Sequence, residues 1–209
     1  RPSLVVAGGW DVVNMPEIDY GAVASPRGRR RARFILRRAS AVLTFSEWSG
    51  NAIRNLSGRD ATLVYLGVDT EQFRPHPTKE DLVVTVGAVT EQTLKRKGLE
   101  TFVHAAGHAR DLKFRLVGAH DPSALEILQK IAPPNLEITG WISDGELRDL
   151  LGRAKVYVQV SYNEGFGLAL AEAMASGCVP VVTRMGSLPE VAGDVGFYVP
   201  YGDAMATAS

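Results

Sequence analysis

The chain has 209 residues, of which 45% are hydrophobic, 22% charged and 8% aromatic, a make-up that excludes disordered, collagen-like and disulfide-stapled classes. Lys plus Arg (23) balances Asp plus Glu (23), but unevenly: residues 1–60 hold ten Arg and five acids, +5, and the other 149 hold 13 bases and 18 acids, −5. No apolar run approaches the roughly 18–20 residues of a membrane-spanning helix, and the start lacks the order of a secretion signal, so neither is expected.

In chain order, short apolar runs predict strands at Leu4 to Ala7, Ala41 to Phe45, Thr62 to Leu66, Leu82 to Val86, Phe114 to Val117, Leu136 to Thr139, Val156 to Val160, Val179 to Thr183 and Phe197 to Val199. Both alternating positions of these runs are apolar, which suits a sheet covered on both faces. Between most of them lies helical spacing, as in Phe102, Ala105, Ala106, Ala109 and Leu147, Leu150, Leu151, Ala154. Strand and helix in alternation predict a doubly wound, parallel α/β architecture. The chain opens at Arg1 without Met and is strand-like by Leu4, so the sequence reads as part of a longer one.

Residues 27–38 hold seven arginines in twelve positions, with Ala32, Ile35, Leu36 and Ala39 at i, i+3, i+4, i+7. The pattern predicts a helix that packs one face and presents cations on the other, suited to an anionic membrane or an anionic lipid-linked acceptor. Nucleic acid is not expected, since no groove-reading motif or stacking platform accompanies the charge. After the third strand, Gly67 to Thr78 is polar and holds Pro75 and Pro77. A domain boundary is placed there, giving domains 1–75 and 76–209. The single cysteine, Cys178, sits in an apolar run and reads as core filler in a reducing compartment. His104 and His108 lie one helical turn apart without an evident third ligand, so no metal is assigned to them.

Ligands of open α/β sheets bind beyond the carboxyl ends of strands. The strand at Val156 to Val160 leads through Glu164-Gly165-Phe166-Gly167-Leu168 into a helix-forming run closed by Gly177. Glycines ahead of a helix leave its first N–H groups open to a phosphate. A dinucleotide fingerprint would carry a third glycine, and the next strand would end in an acid; here Leu170 and Thr183-Arg184 stand instead. Glu164 would repel a pyrophosphate unless it faced sugar hydroxyls, and Glu172, eight residues on, returns to the same side a little over two turns later. The loop Gly87 to Gly98 places Lys95-Arg96-Lys97 in a row, where cations could neutralise a departing nucleoside diphosphate ahead of a helix starting near Leu99. His120, at a strand end, is a candidate for the same cleft, and Asp11 is either a site residue or a turn cap.

The run from Glu164 to Val182, with its glutamates eight apart, resembles the signature of the retaining GT-B glycosyltransferases of the glycosyltransferase family 4 type. Gly186-Ser187-Leu188-Pro189-Glu190-Val191 and Gly196-Phe197-Tyr198-Val199-Pro200 resemble further segments of it, as do Leu4 to Val12, Ala39 to Ser46 and Val64 to Pro75. The resemblance implies two Rossmann-like domains facing a cleft, the N-terminal one only partly present, and transfer of a sugar from a UDP- or GDP-type donor to a hydroxyl acceptor with retention. By the same resemblance Glu164 lies beside the donor sugar, Gly165, Phe166, Gly167 and Leu168 face sugar and diphosphate, and Glu172 holds the ribose. Lys97 matches the phosphate-binding Lys, and Trp141-Ile142 the loop that meets the nucleobase; Trp141 is otherwise a core anchor. No cofactor or metal is implied, and the expected location is cytoplasmic, at the inner face of a membrane where Arg27 to Arg38 touch it. The sequence departs from the family at Ala88, usually Arg, at Gly8, usually His, and at Leu66, usually Asn. A nucleotide-sugar-binding module without transfer activity accommodates Ala88 and Gly8, and an NAD(P)-dependent oxidoreductase accommodates the bare α/β pattern.

Overall fold

The structure, a computed structural model, describes residues 2–209. Strands β1 (Leu4–Val6), β2 (Ala41–Thr44) and β3 (Thr62–Leu63) form a parallel three-stranded sheet, with Leu4 opposite Ala41 and Leu43 opposite Thr62. Parallel neighbours need crossovers, and helices α1 (Pro26–Arg38) and α2 (Glu47–Ser57) supply them. Ser25 accepts from the Gly28 amide to start α1, and Pro26 occupies the first turn, where its missing N–H costs nothing. Val12, Leu36, Val42 and Ile53 bury together beneath these helices.

This sheet departs from the expectation of two covered faces. Val5 and Ala7 point into the cluster, and alternation turns Leu4 and Val6 outward, 59% and 49% exposed. Ile35, expected to pack, is 40% exposed. It lies about 100° round the helix from Leu36, which takes the buried direction. Arg33 and Arg37 donate through Nε to the Leu56 and Ser57 carbonyls at the end of α2, at 2.8 and 2.9 Å, so two of the seven arginines cap a helix. The third strand stops at Leu63, earlier than expected, and beyond it the Tyr65 ring lies 6.2 Å from that of Phe166.

The second sheet is parallel and six-stranded, in the order β6 (Leu136–Gly140), β5 (Lys113–Val117), β4 (Glu80–Val86), β7 (Ala154–Gln159), β8 (Val179–Val182), β9 (Phe197–Tyr198). Its helices are α3 (Glu91–Arg96), α4 (Leu99–His108), α5 (Pro122–Ile131), α6 (Asp144–Arg153), α7 (Leu168–Ala175), α8 (Leu188–Ala192) and α9 (Ala204–Ala208). The period-two rule divides β4 between two cores: Leu82 and Val84 join Leu151, Tyr157 and Leu170 on one face, and Val83 joins Phe102, Phe114, Leu128 and Val158 on the other. Each large side chain so buried contributes about 1.5–3 kcal/mol. Phe102, Ala105 and Ala106 of α4 and Leu150 and Leu151 of α6 are buried at their helical spacing. Cys178 is buried among them, its thiol donating to the Leu151 carbonyl and pushed up to about 11 by burial, against the pull of Lys79. It packs, and it is a poor nucleophile.

Candidate active site

The order of the second sheet runs outward in both directions from β4 and β7, so the ligand crevice opens beyond their carboxyl ends. The two loops that leave these strands are stitched together. The Tyr162 amide donates to the Arg96 carbonyl at 2.8 Å. Gly98, at φ +64°, approaches so closely that a Cβ would stand 2.3 Å from the Val160 carbonyl oxygen, a position open only to glycine.

The loop expected between Gly87 and Gly98 is helical over α3. Thr90 and Thr93 form a reciprocal cap, each side chain accepting from the other's amide at 3.2 and 2.7 Å, and Thr93 Oγ1 donates to the Ala88 carbonyl at 2.6 Å. Glu91 in the first turn and Lys95 and Arg96 in the last suit the helix dipole. The outcome is directional: Arg96 and Lys97 leave α3 facing the loop after β7, with the Lys97 stem laid along Gly87.

They converge on Glu164. Lys97 Nζ is 3.1 Å from Oε1, Arg96 Nη1 is 3.6 Å from Oε2, and Ser161 Oγ donates to Oε1 at 3.0 Å; the Lys97, Arg96 and Glu164 side chains are 17%, 16% and 13% exposed. Burial pushes the Glu164 carboxyl up, but Lys97 and then Arg96 outweigh it and hold the group below the usual glutamate range. Glu164 is therefore ionised at neutral pH, and stripping a partner from a pair this buried costs about 3–5 kcal/mol. Two cations thus flank a single carboxylate.

Beside this cluster α7 begins after Gly167 with no side-chain cap, so no side chain at its N-cap satisfies its first N–H groups. Leu168 is its exposed first residue. Glu172 lies farther along and carries the opposite shift: burial, then Asp144 at the start of α6, push its carboxyl up. Gly165 meets the other sheet's loop, and a Cβ on it would fall 1.7 Å from the Gly8 carbonyl oxygen. Ile142 packs half-buried against the core cluster that includes Leu170, whereas Trp141 is 74% exposed. The core-anchor reading of Trp141 is thus corrected: the turn leaving β6 sends its ring outward and Ile142 inward. His120 is exposed with its imidazole near Gly140, and Asp11 accepts from the Gly8 amide at 3.1 Å. His104 and His108 are exposed on α4.

Four positions that shape this region escaped sequence reasoning. Ser187, fully buried, places its hydroxyl 3.0 and 2.8 Å from the Glu164 and Phe166 carbonyls, and Thr183 donates to the Ser161 carbonyl at 2.6 Å. Together they fix the loop that carries Glu164. Glu190 accepts from the Glu47 and Trp48 amides at 2.7 and 2.8 Å, tying the second sheet's unit to the start of α2. Tyr20 lies with its ring 5.3 Å from the Arg96 guanidinium. The Gly186 to Val191 run signalled the segment holding Ser187 and Glu190; nothing signalled Tyr20.

Comparison with known proteins gives this geometry a family. Solved structures superpose over the whole chain: Anabaena HepE, crystallised with UDP and glucose, has a TM-score of 0.84 at 20% identity over 100% of this chain and 60% of that one. Sucrose-phosphate synthase from Thermosynechococcus elongatus has 0.81 at 25% identity over 98% and 56%. The fold is GT-B, two Rossmann-like parallel sheets with a cleft between them. Residues 80–209 match the family model for glycosyl transferases group 1, and the chain belongs to that family. Relatives include MMP alpha-(1->4)-mannosyltransferase of Mycolicibacterium hassiacum, 32% identical over 78% of this chain and 41% of that protein. Alpha-maltose-1-phosphate synthase of Mycobacterium tuberculosis is 32% identical over 75% and 46%. The chain spans about half or less of the length of these curated relatives.

Proposed function

We propose that residues 76–209 are the donor-nucleotide-binding domain, and residues 1–75 the C-terminal part of the acceptor-side domain, of a retaining, metal-independent glycosyltransferase that uses a UDP- or GDP-sugar. The observation that carries this reading is the buried, ionised Glu164, held by cations beside the uncapped start of α7 at the point where the sheet order reverses. The names of the mannosyltransferase and synthase relatives, and the UDP and glucose in the neighbouring crystal, support it.

In this reading Lys97 and the backbone of Gly165, Phe166, Gly167 and Leu168 hold the diphosphate, Glu172 accepts from the ribose hydroxyls, and Ile142 meets the base through its backbone. Glu164 orients the sugar through its hydroxyls. As the bond from the anomeric carbon to the diphosphate breaks, charge grows on the leaving oxygen, where a lysine and preorganised amides supply the neutralisation a divalent ion gives elsewhere. The acceptor is a hydroxyl, on a glycan or a small or lipid-linked molecule. The exposed Arg27, Arg29, Arg30, Arg31 and Arg38 of α1 suit an anionic acceptor or membrane face. No helix among the described residues is long and apolar enough to cross a membrane.

Calorimetric titration with UDP, GDP and their sugars tests the reading, alongside transfer assays. Glu172→Ala is expected to weaken nucleotide binding about tenfold, the worth of a charged hydrogen bond. Glu164→Ala is expected to abolish transfer without weakening nucleotide binding. Negligible effects from both would overturn the assignment, an inverted product anomer would overturn retention, and a rate lost to chelator would overturn metal independence. Donor binding without transfer by the full-length protein would instead favour a binding module, the reading that Ala88 and Gly8 accommodate.

A further inference from the structure

Resting on that reading, we propose that Arg96 is the second cation of the donor diphosphate site, and that Tyr20, from the segment before α1, aims it. The carboxyl end of β4 supplies no charged side chain, since Gly87 and Ala88 stand there. Lys97 alone brings one charge to a ligand with two phosphoryl groups, and that charge is shared with Glu164 at 3.1 Å. Arg96 holds the same carboxylate, so the two cationic heads flank a single anion at the mouth of the crevice.

The contacts of Arg96 within the chain are loose. Its Nη1 lies 3.6 Å from Glu164 Oε2 and 3.4 Å from the Asn163 carbonyl, longer than the roughly 2.7–2.9 Å of a formed charge-assisted bond. A guanidinium has five donors in a fixed fork, matched to the oxygens of a phosphate. These donors are kept near the site and largely unspent. Two features fix their direction: the Tyr162 amide holds the Arg96 carbonyl at 2.8 Å, and the Tyr20 ring covers the guanidinium at 5.3 Å, leaving the planar edge to accept an anion. Lys95 does not compete for this role, because its side chain is exposed on the outer side of α3, where its carbonyl accepts from Tyr201. Tyr20 belongs to the first sheet's unit and Glu164 to the second. Arg96 therefore joins the two sides of the cleft where the diphosphate departs.

The test is isothermal titration of the 209-residue chain and its variants with UDP, GDP, UMP and GMP. Arg96→Gln is expected to weaken binding of the matching diphosphate about tenfold, the worth of one charged hydrogen-bond pair, while leaving the monophosphate unchanged. Arg96→Lys restores part of the loss, and Tyr20→Leu, which removes the platform but not the charge, falls between Arg96→Gln and the parent. If Arg96→Gln binds the diphosphates as tightly as the parent while Lys97→Gln loses them, the role of Arg96 is overturned and the glycosyltransferase reading stands. Equal losses of diphosphate and monophosphate also overturn it, since a merely structural residue behaves so. If the parent chain binds none of the four nucleotides, both readings fall together.

Discussion

Glu164 shows how one side chain can tie pH to stability. Its carboxyl titrates below the ordinary glutamate range in the folded chain and within it once unfolded, so ionisation favours folding. The contribution is complete above the unfolded value and is lost as pH falls through that range toward the depressed folded one. The thermal midpoint of the parent is therefore expected to fall more steeply on acidification than that of Glu164→Gln, and parallel curves would contradict the assignment. Glu172 works in the other sense, because a raised carboxyl makes protonation favour the fold as pH falls. Both acids stood out in the sequence as candidates, since one precedes and the other lies on a glycine-started helix. The choice between Lys95 and Arg96 was not legible. The two are adjacent cations, and which one turns inward depends on the phase of a short helix that charge alone does not announce.

That helix is the instructive element. Six residues do not sustain a helix unaided, so α3 depends on the Thr90–Thr93 cap and on the bond from Thr93 to Ala88. Thr93→Val keeps the volume and removes the Thr93 hydroxyl's half of the cap and its bond to Ala88, leaving the Thr93 amide on Thr90. It is expected to cost about 1–2 kcal/mol in denaturant unfolding, the usual worth of a lost cap, and to weaken diphosphate binding by misplacing Arg96 and Lys97. Full binding in a destabilised variant would show that α3 does not orient the cations. Strands were easier to read than this helix, since nine apolar runs announce nine strands through period and composition. Burial at Leu4, Val6, Ile35 and Trp141 was harder, because alternation and helical spacing say which residues share a face but not whether a neighbour covers it.

On the scale of the whole molecule, contacts far apart in sequence join the two sheets: Glu190 with the start of α2, Tyr20 with Arg96, Phe166 with Tyr65, and Gly165 with Gly8. None was legible, since each pairs segments whose separate patterns are complete without the other. Glu190→Gln replaces a charged acceptor on two helix-start amides with a neutral one. Hydrogen exchange at Glu47 and Trp48 is expected to quicken about tenfold, the scale of a charge-assisted bond weakened by half, with exchange in the six-stranded sheet unaltered. Unchanged protection at those two amides would mean that the carboxylate does not latch the halves.

At Gly8 and Gly165 the halves abut through bare main chain, with room for a hydrogen atom and nothing larger. The acid that would grip the sugar is the residue immediately before, so a single methyl at Gly165 would pry the halves apart within reach of the chemistry. Gly165→Ala should thus both loosen the diphosphate held by this backbone and slow the transfer, read as a rise in donor Kd together with a fall in kcat. Side chains join the halves elsewhere, but at this one point main chain meets main chain, and its spacing gauges how near acceptor and donor can come.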